Sequence, residues 1–329
     1  ANAHQGCPKA AFELAKKRAE SGADSIKFQI YTADELLTTD HPRYEHFKDQ
    51  AFLKEEWDNL LTKSKRLGVK VYADIFGLEA YEIASSNQVD GYKIHSSDLN
   101  NTKLLELLAD QERCVFLATG GSTLLEIRYA IDKLTKFNKV SEIILLHGFQ
   151  SYPTKVEDSR ISRLPKLQEL FGDNIMIGYS DHIDADDKFA TLLPLMTMPY
   201  GVSYIEKHVT MDRSAKGVDY YSSYEPKELE KFIEDVRLAE QSIGSNSLGF
   251  SDAEKKYRNS VKKSWTATRD IKSNTIIKPN DVAMKRPLNF FAPPMYEEIV
   301  GAKILKDVNK EDSITRSMVD SKVLAIIVA

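Results

Sequence analysis

The chain has 329 residues, 42% of them hydrophobic and 29% charged, with a formal net charge of -4. That charge is too mild to point to nucleic acid or an anionic membrane as a partner. No run of about 18 or more apolar residues is long enough to span a bilayer, and nothing at the start reads as a signal peptide. Cys7 and Cys114 follow no metal-ligand or redox spacing, which suits a reducing cytoplasm rather than a disulfide scaffold.

Short β-branched runs alternate with longer amphipathic stretches. Strands are predicted over Asp24–Gln29, Val69–Ile75, Gly91–His95, Val115–Thr119, Ile143–His147, Ile175–Tyr179 and Tyr204–His208. Helices are predicted between them, over Lys9–Ser21, Glu55–Leu67, Thr102–Leu108, Thr123–Phe137 and Pro226–Ile243, for example. This alternation implies βαβ units and a parallel sheet. A closed (β/α)8 TIM barrel needs roughly 250 residues and one more strand than these seven. The missing strand is expected before Ala1, with Ala1–Gly6 as the loop after it. An open doubly wound sheet is the competing fold, but no G-x-G-x-x-G phosphate turn is present. The barrel is therefore expected over residues 1–245. The polar stretch 246–263 reads as a linker. Short strands at Ser264–Ala267, Ile276–Ile277 and Val282–Lys285 then imply a small domain over 264–329.

Five of the seven histidines fall at or just after the C-terminal end of a strand: His4, behind the inferred first strand, and His95, His147, His182 and His208. In a barrel those positions converge on the catalytic face. His182 and His208 follow adjacent strands, so their imidazoles can meet at one divalent ion that keeps positions open for substrate. Asp181 or Asp219 is expected to orient them. Lys27 and Gln29 point to one side of their strand, as do Lys93 and His95. A lysine aimed into a barrel is costly unless it meets an anion. With Ser96, Ser97, Thr119, Ser122 and Ser180, the two lysines make a candidate carboxylate and phosphate cradle. The polar loop Lys216-Gly217-Val218-Asp219 is placed to close on substrate.

These residues carry a resemblance. The segments Gly22–Gln29, Tyr92–Ser96, Ala118–Gly120, Leu146-His147 with Tyr152-Pro153-Thr154, Ile177–His182, Glu206-Lys207-His208 and Gly217-Val218-Asp219 are similar to those of the N-acetylneuraminate (sialic acid) synthase family. That family includes spore-coat polysaccharide and pseudaminic and legionaminic acid synthases. The stretch Ala267–Ile271, with Lys285-Arg286-Pro287 and Gly301, resembles the family's antifreeze-like (SAF, β-clip) domain. The resemblance implies that phosphoenolpyruvate is condensed with an N-acyl amino-sugar aldehyde. It implies His182 and His208 as metal ligands, for Mn foremost, with Mg, Co or Zn as alternatives. It implies Lys27, Lys93, Ser96, Thr119 and Ser180 for phosphoenolpyruvate, and Gln29, Gln150, Tyr152, Asp219 and Arg286 for the sugar. Arg286 would come from the other subunit of a domain-swapped homodimer. Asp98, His147 and Asp219 are the candidates for catalysis.

Five positions depart from the family pattern: Asp74 stands where a small hydroxyl residue is usual, His95 for glycine, Asp98 for glutamate, Ala118 for serine and Gln150 for asparagine. An ionised Asp74 would repel a phosphate, and His95 is expected to offset it. Two other functions fit the same residues: a Schiff-base aldolase using Lys93 or Lys27, and a non-catalytic binding paralogue.

Overall fold

Seven of the eight parallel strands fall within two residues of their predicted positions. The structure, a computed structural model, describes residues 6–172, 175–287 and 293–320. The sheet runs in simple sequence order. Its strands are β1 (Ser25–Tyr31), β2 (Lys70–Phe76), β3 (Gly91–Ile94), β4 (Cys114–Ala118), β5 (Ile143–His147), β6 (Ile175–Asp181), β7 (Val202–Val209) and β8 (Ser223–Tyr224). Sequence reading misses β8, because two residues give no periodic signal. Among the described residues it pairs only with the end of β7, at His208 and Val209. His4 and the strand expected before Ala1 lie outside the described residues. Among the described residues no pairing joins β1 to β7 or β8. A cavity of about 540 Å³ lies along that seam, lined by Arg18, Lys27, Gln29, Glu206, His208 and Phe232 among others.

Helices connect the strands: α1 (Pro8–Glu20), α2 (Ala33–Leu36), α3 (Tyr44–Gln50), α4 (Lys54–Lys65), α5 (Leu78–Ser86), α6 (Thr102–Ala109), α7 (Leu124–Leu134), α8 (Arg163–Phe171), α9 (Phe189–Thr197) and α10 (Pro226–Ile243). The logic of α4 is representative. It buries Trp57, Leu60, Leu61 and Ser64, one stripe at helical spacing. Glu56 turns back to accept the Leu53 N–H at 2.8 Å, which satisfies a donor the helix start would leave open.

Strand alternation divides the core in two. Outward residues such as Phe28, Ile30, Val71, Ile75, Ile94, Leu117 and Leu145 join the helices in one large cluster. Tyr72, Cys114, Phe116, Ile144 and Leu146 form a separate inner cluster, against which Met176 and Tyr204 pack. Between β6 and β7 the register shifts: Ile177 pairs with Val202, but Gly178 pairs with Tyr204. Only glycine fits there. A Cβ on Gly178 would stand 2.6 Å from a Leu146 methyl and 3.0 Å from the Tyr204 carbonyl oxygen.

The chain divides into two compact units, Ala1–Gly244 and Ser245–Ala329. The stretch expected as linker carries a helix, α11 (Asp252–Val261), started by a reciprocal Ser251–Glu254 capping box. The small unit pairs β9 (Ser264–Ala267) with β10 (Val282–Lys285) and β11 (Lys303–Ile304) with β12 (Val319–Asp320), all antiparallel. Its own core holds Ala267, Ile271, Ile277, Val282, Ile299, Ile304, Val308, Ile314 and Val319. No helix among the described residues is long and apolar enough to cross a membrane.

Leu61 is fully buried. Leu61→Ala is expected to lower the unfolding free energy by about 2–5 kcal/mol, as a cavity in a close-packed core does. Urea denaturation reads this, and Lys63→Ala on the exposed side of the same helix serves as the near-neutral control.

Candidate active site

Alternation along β1, β2, β3 and β7 turns Lys27, Asp74, Lys93 and Glu206 to a common interior, where they form one ion cluster. Lys27 Nζ lies 3.0 Å from Asp74 Oδ2 and 3.3 Å from Glu206 Oε2. Lys93 Nζ lies 2.7 Å from Glu206 Oε1 and 3.5 Å from Asp74 Oδ2. Ser180 Oγ donates to Glu206 Oε1 at 2.9 Å. The side chains of Asp74 and Lys93 are 0% and 3% exposed. Burial opposes the Lys27 ammonium, but the Asp74 and Glu206 carboxylates outweigh it and raise its pKa. Burial likewise opposes the two carboxylates, yet Lys27 and Lys93 hold Asp74 below the usual range and Glu206 well below it. Lys27, Asp74 and Glu206 therefore stay ionised.

Beside this cluster stand the two histidines. The rings of His182 and His208 are 5.1 Å apart, and Tyr152 meets them edge-on at 5.2 and 5.4 Å. Burial pushes the His182 imidazole down to about 3. It also drives His208 well below the usual histidine range, and His182 adds to that. Both rings are thus neutral, with lone pairs free to ligate. His182 Nδ1 is buried with no hydrogen-bond partner, and His208 Nδ1 lies 3.5 Å from Asp219 Oδ2. A divalent cation fits this pair. Among the described residues no third histidine, cysteine or carboxylate completes a set with them, so other positions on such an ion would be left for water or substrate oxygen.

The strand ends are fixed by groups on the opposite faces. Lys207 forms a buried ion pair with Asp181 and sits over the Tyr224 ring. Burial pushes the Asp181 carboxyl up and the Lys207 ammonium down, and their contact opposes both shifts. Asp181, expected to orient the histidines, instead accepts from Lys207 and from the Tyr179 hydroxyl at 3.2 Å. The pair joins β6 to β7 one residue away from each imidazole.

The other candidates divide. Lys27, Gln29, Glu206 and His208 line the seam cavity together. Ser96 Oγ donates to Gln150 Oε1 at 3.0 Å. Asp98 accepts from Ser97 Oγ at 2.9 Å and Asn101 Nδ2 at 3.0 Å. Thr119 Oγ1 is committed to the Leu146 carbonyl at 3.1 Å. His147 Nε2 meets the Ser159 carbonyl at 3.0 Å, which ties down the loop after β5. His95 contacts Ser97 Oγ at 3.0 Å, and burial lowers its pKa, so the lysines rather than an imidazolium offset Asp74. Arg286 is exposed in the small unit. Sequence reading passes over Glu206 and Lys207 as site residues. The signal for Glu206 lies in its spacing of two from His208, which puts both on one face of β7.

A parallel barrel with paired ammonium groups, carboxylates and imidazoles gathered at its strand ends is an enzyme of the barrel class. Residues 14–247 match the model of the NeuB family, and residues 262–320 match that of the SAF domain, as expected for an antifreeze-like C-terminal domain. The N,N'-diacetyllegionaminic acid synthase of Legionella pneumophila is 30% identical over 318 residues, spanning 92% of this chain and 87% of that protein. The N-acetylneuraminic acid (sialic acid) synthetase of Leptospira borgpetersenii serovar Hardjo-bovis, crystallised with citrate, matches with a TM-score of 0.72 at 31% identity, over 79% of this chain and 90% of that one. A spore coat polysaccharide biosynthesis protein of Bacillus subtilis shares the fold at 24% identity, with a TM-score of 0.64 over 98% of this chain and 94% of that one. The chain belongs to the NeuB family, and it is a synthase-type enzyme.

The neutral imidazoles carry a pH signature. His182 titrates near 6.5 when unfolded and at about 3 when folded. Below about 6.5 the unfolded chain therefore takes up a proton that the folded chain does not, and stability falls as pH falls towards 3. Above about 6.5 this group contributes no slope. Urea unfolding at about pH 7, 6 and 5 should show the loss, and His182→Gln should reduce the slope without abolishing it, because the buried His208 contributes in the same sense.

Proposed function

We propose that this enzyme condenses phosphoenolpyruvate with an N-acyl amino-sugar aldehyde of the N-acetylmannosamine type. The product is a nine-carbon, sialic-acid-type 2-keto acid, and inorganic phosphate is released. One observation carries this reading: two neutral imidazoles 5.1 Å apart stand beside a buried ammonium pair in one barrel interior. Membership of a family whose relatives are named synthases of such sugars supports it.

In this reading Lys27 and Lys93 receive the donor's negative charge, with Ser96 and Ser180 as hydroxyl partners, joined by Thr119 once its hydroxyl leaves the Leu146 carbonyl. Gln29, Gln150, Tyr152 and Asp219 face the sugar. Arg286 of a second copy, in a swapped homodimer, contacts its N-acyl group. The methylene carbon of phosphoenolpyruvate attacks the aldehyde carbon, and water adds to the carbon that bears the phosphate. The tetrahedral species then expels inorganic phosphate. Asp98 and Asp219 move protons, while His147 is a positioning residue for the loop it anchors at Ser159. His182 and His208 hold a divalent cation, Mn foremost, which when bound supplies Lewis-acid polarisation of the aldehyde oxygen. A Schiff-base aldolase would instead need a neutral lysine nucleophile. The ion pairs of Lys27, which raise its pKa, work against that.

The test is a phosphate-release screen with phosphoenolpyruvate, Mn and a panel of N-acyl hexosamines. At least one sugar should release phosphate, borohydride should trap no lysine adduct, and His182→Ala should abolish release. Full metal-dependent release by that variant, or no release with any sugar, sinks the reading.

A further inference from the structure

The reaction gives no role to either carboxylate of the cluster, and one of them would be enough to hold both lysines. Glu206 alone already bridges both lysines, at 3.3 and 2.7 Å. Asp74 then adds a second carboxylate, directly between the same two ammonium groups. The groups that face it are Lys27 from β1, Lys93 and His95 from β3 and the turn after it, and Glu206 from β7. Its side chain is 0% exposed, and its Oδ1 has no hydrogen-bond partner. No network of its own holds the carboxylate there; the lysines do. Two ammonium groups and two ionised carboxylates leave the cluster with no net charge.

We propose that Asp74 is an affinity-determining residue for the donor: its carboxylate takes the place between Lys27 and Lys93 that an anionic donor group would occupy, so phosphoenolpyruvate binds only by displacing it and binds more weakly for having to do so. This deepens the proposed function and rests on its reading that the two lysines receive the donor. The physical argument is one of balance. An anion that approaches two ammonium groups balanced by a single carboxylate finds a surplus positive charge in a low-dielectric interior. An anion that approaches this cluster finds none, and must displace Asp74 or lie beside it and be repelled. The opposition grows with the charge of the incoming group. A donor that presents one carboxylate meets less of it than a donor that presents a carboxylate and a phosphate.

Asp74→Asn keeps the shape and removes the charge. Isothermal titration with inorganic phosphate, phosphoenolpyruvate and pyruvate, without sugar, should show phosphate and phosphoenolpyruvate binding at least about tenfold tighter in the variant, with a smaller gain for pyruvate. The variant should also melt lower than the wild type without anion and recover when phosphate is added, because the surplus buried cation is then balanced. A carboxylate kept for structure alone would give the lower melting point without phosphate-dependent recovery. Unchanged or weaker phosphate binding by the folded variant overturns the proposal. Asp74→Ser is the second variant. If neither folds, the wild type still decides: inorganic phosphate binding in the low micromolar range would show an unquenched ammonium pair and refute the role given to Asp74. Phosphate release in the sugar screen tests the reaction itself. Tighter phosphate binding by Asp74→Asn with no turnover in that screen would sink the condensation and leave the counter-ion standing.

Discussion

The buried cluster of Lys27, Asp74, Lys93 and Glu206 is the constraint around which the barrel interior is arranged. Four full charges out of water are tolerable only when each is matched and held in good geometry. That requirement ties three separate parts of the sheet together: β1 and β2 as neighbours, β3 beside them, and β7 from across the interior. A strand that shifted along its axis would strand a charge, so the cluster acts as a register lock.

The neighbouring imidazoles follow from the same burial with the opposite outcome. Lysine and carboxylate partners are strong enough to keep Lys27 and Glu206 ionised against desolvation. No comparable partner reaches His182, so burial wins and the ring is neutral. One interior thus holds permanent charges and uncharged lone pairs side by side. In the proposed reading that combination would let one space hold an anion beside a divalent cation, and barrels supply such a space by collecting side chains from many strand ends.

Much of this was legible in the chain before any fold was known. Period-two alternation around Lys27, Lys93 and His208 was enough to point these side chains inward, and of the strand-terminal histidines His182 and His208 stand together beside the lysines. What stayed hidden were relations across strands. Asp74 could be seen as an unusual residue, but its position between two lysines depends on the pairing of β2 with β3, which places Asp74 opposite Lys93. The Asp181–Lys207 pair likewise depends on β6–β7 register. Thr119 and His147 read as site residues by position, yet their polar atoms are engaged by backbone carbonyls that no local pattern announces. The two-residue β8 lacks the length to give any periodic signal, and the capping box that starts α11 lay in a stretch whose polarity suggested a tether.

The irregularity at Gly178 has a wider reach than its single residue. Beyond it, Glu206 turns inward and Lys207 outward; Ser180 and the two ammonium groups meet the former, Asp181 the latter. Slide β7 by one position and the two exchange faces. A third cation would then crowd the interior, and two acids would confront each other outside. The polarity of the whole chamber is written in the parity of one strand, and a glycine without a methyl group to clash is what permits that parity.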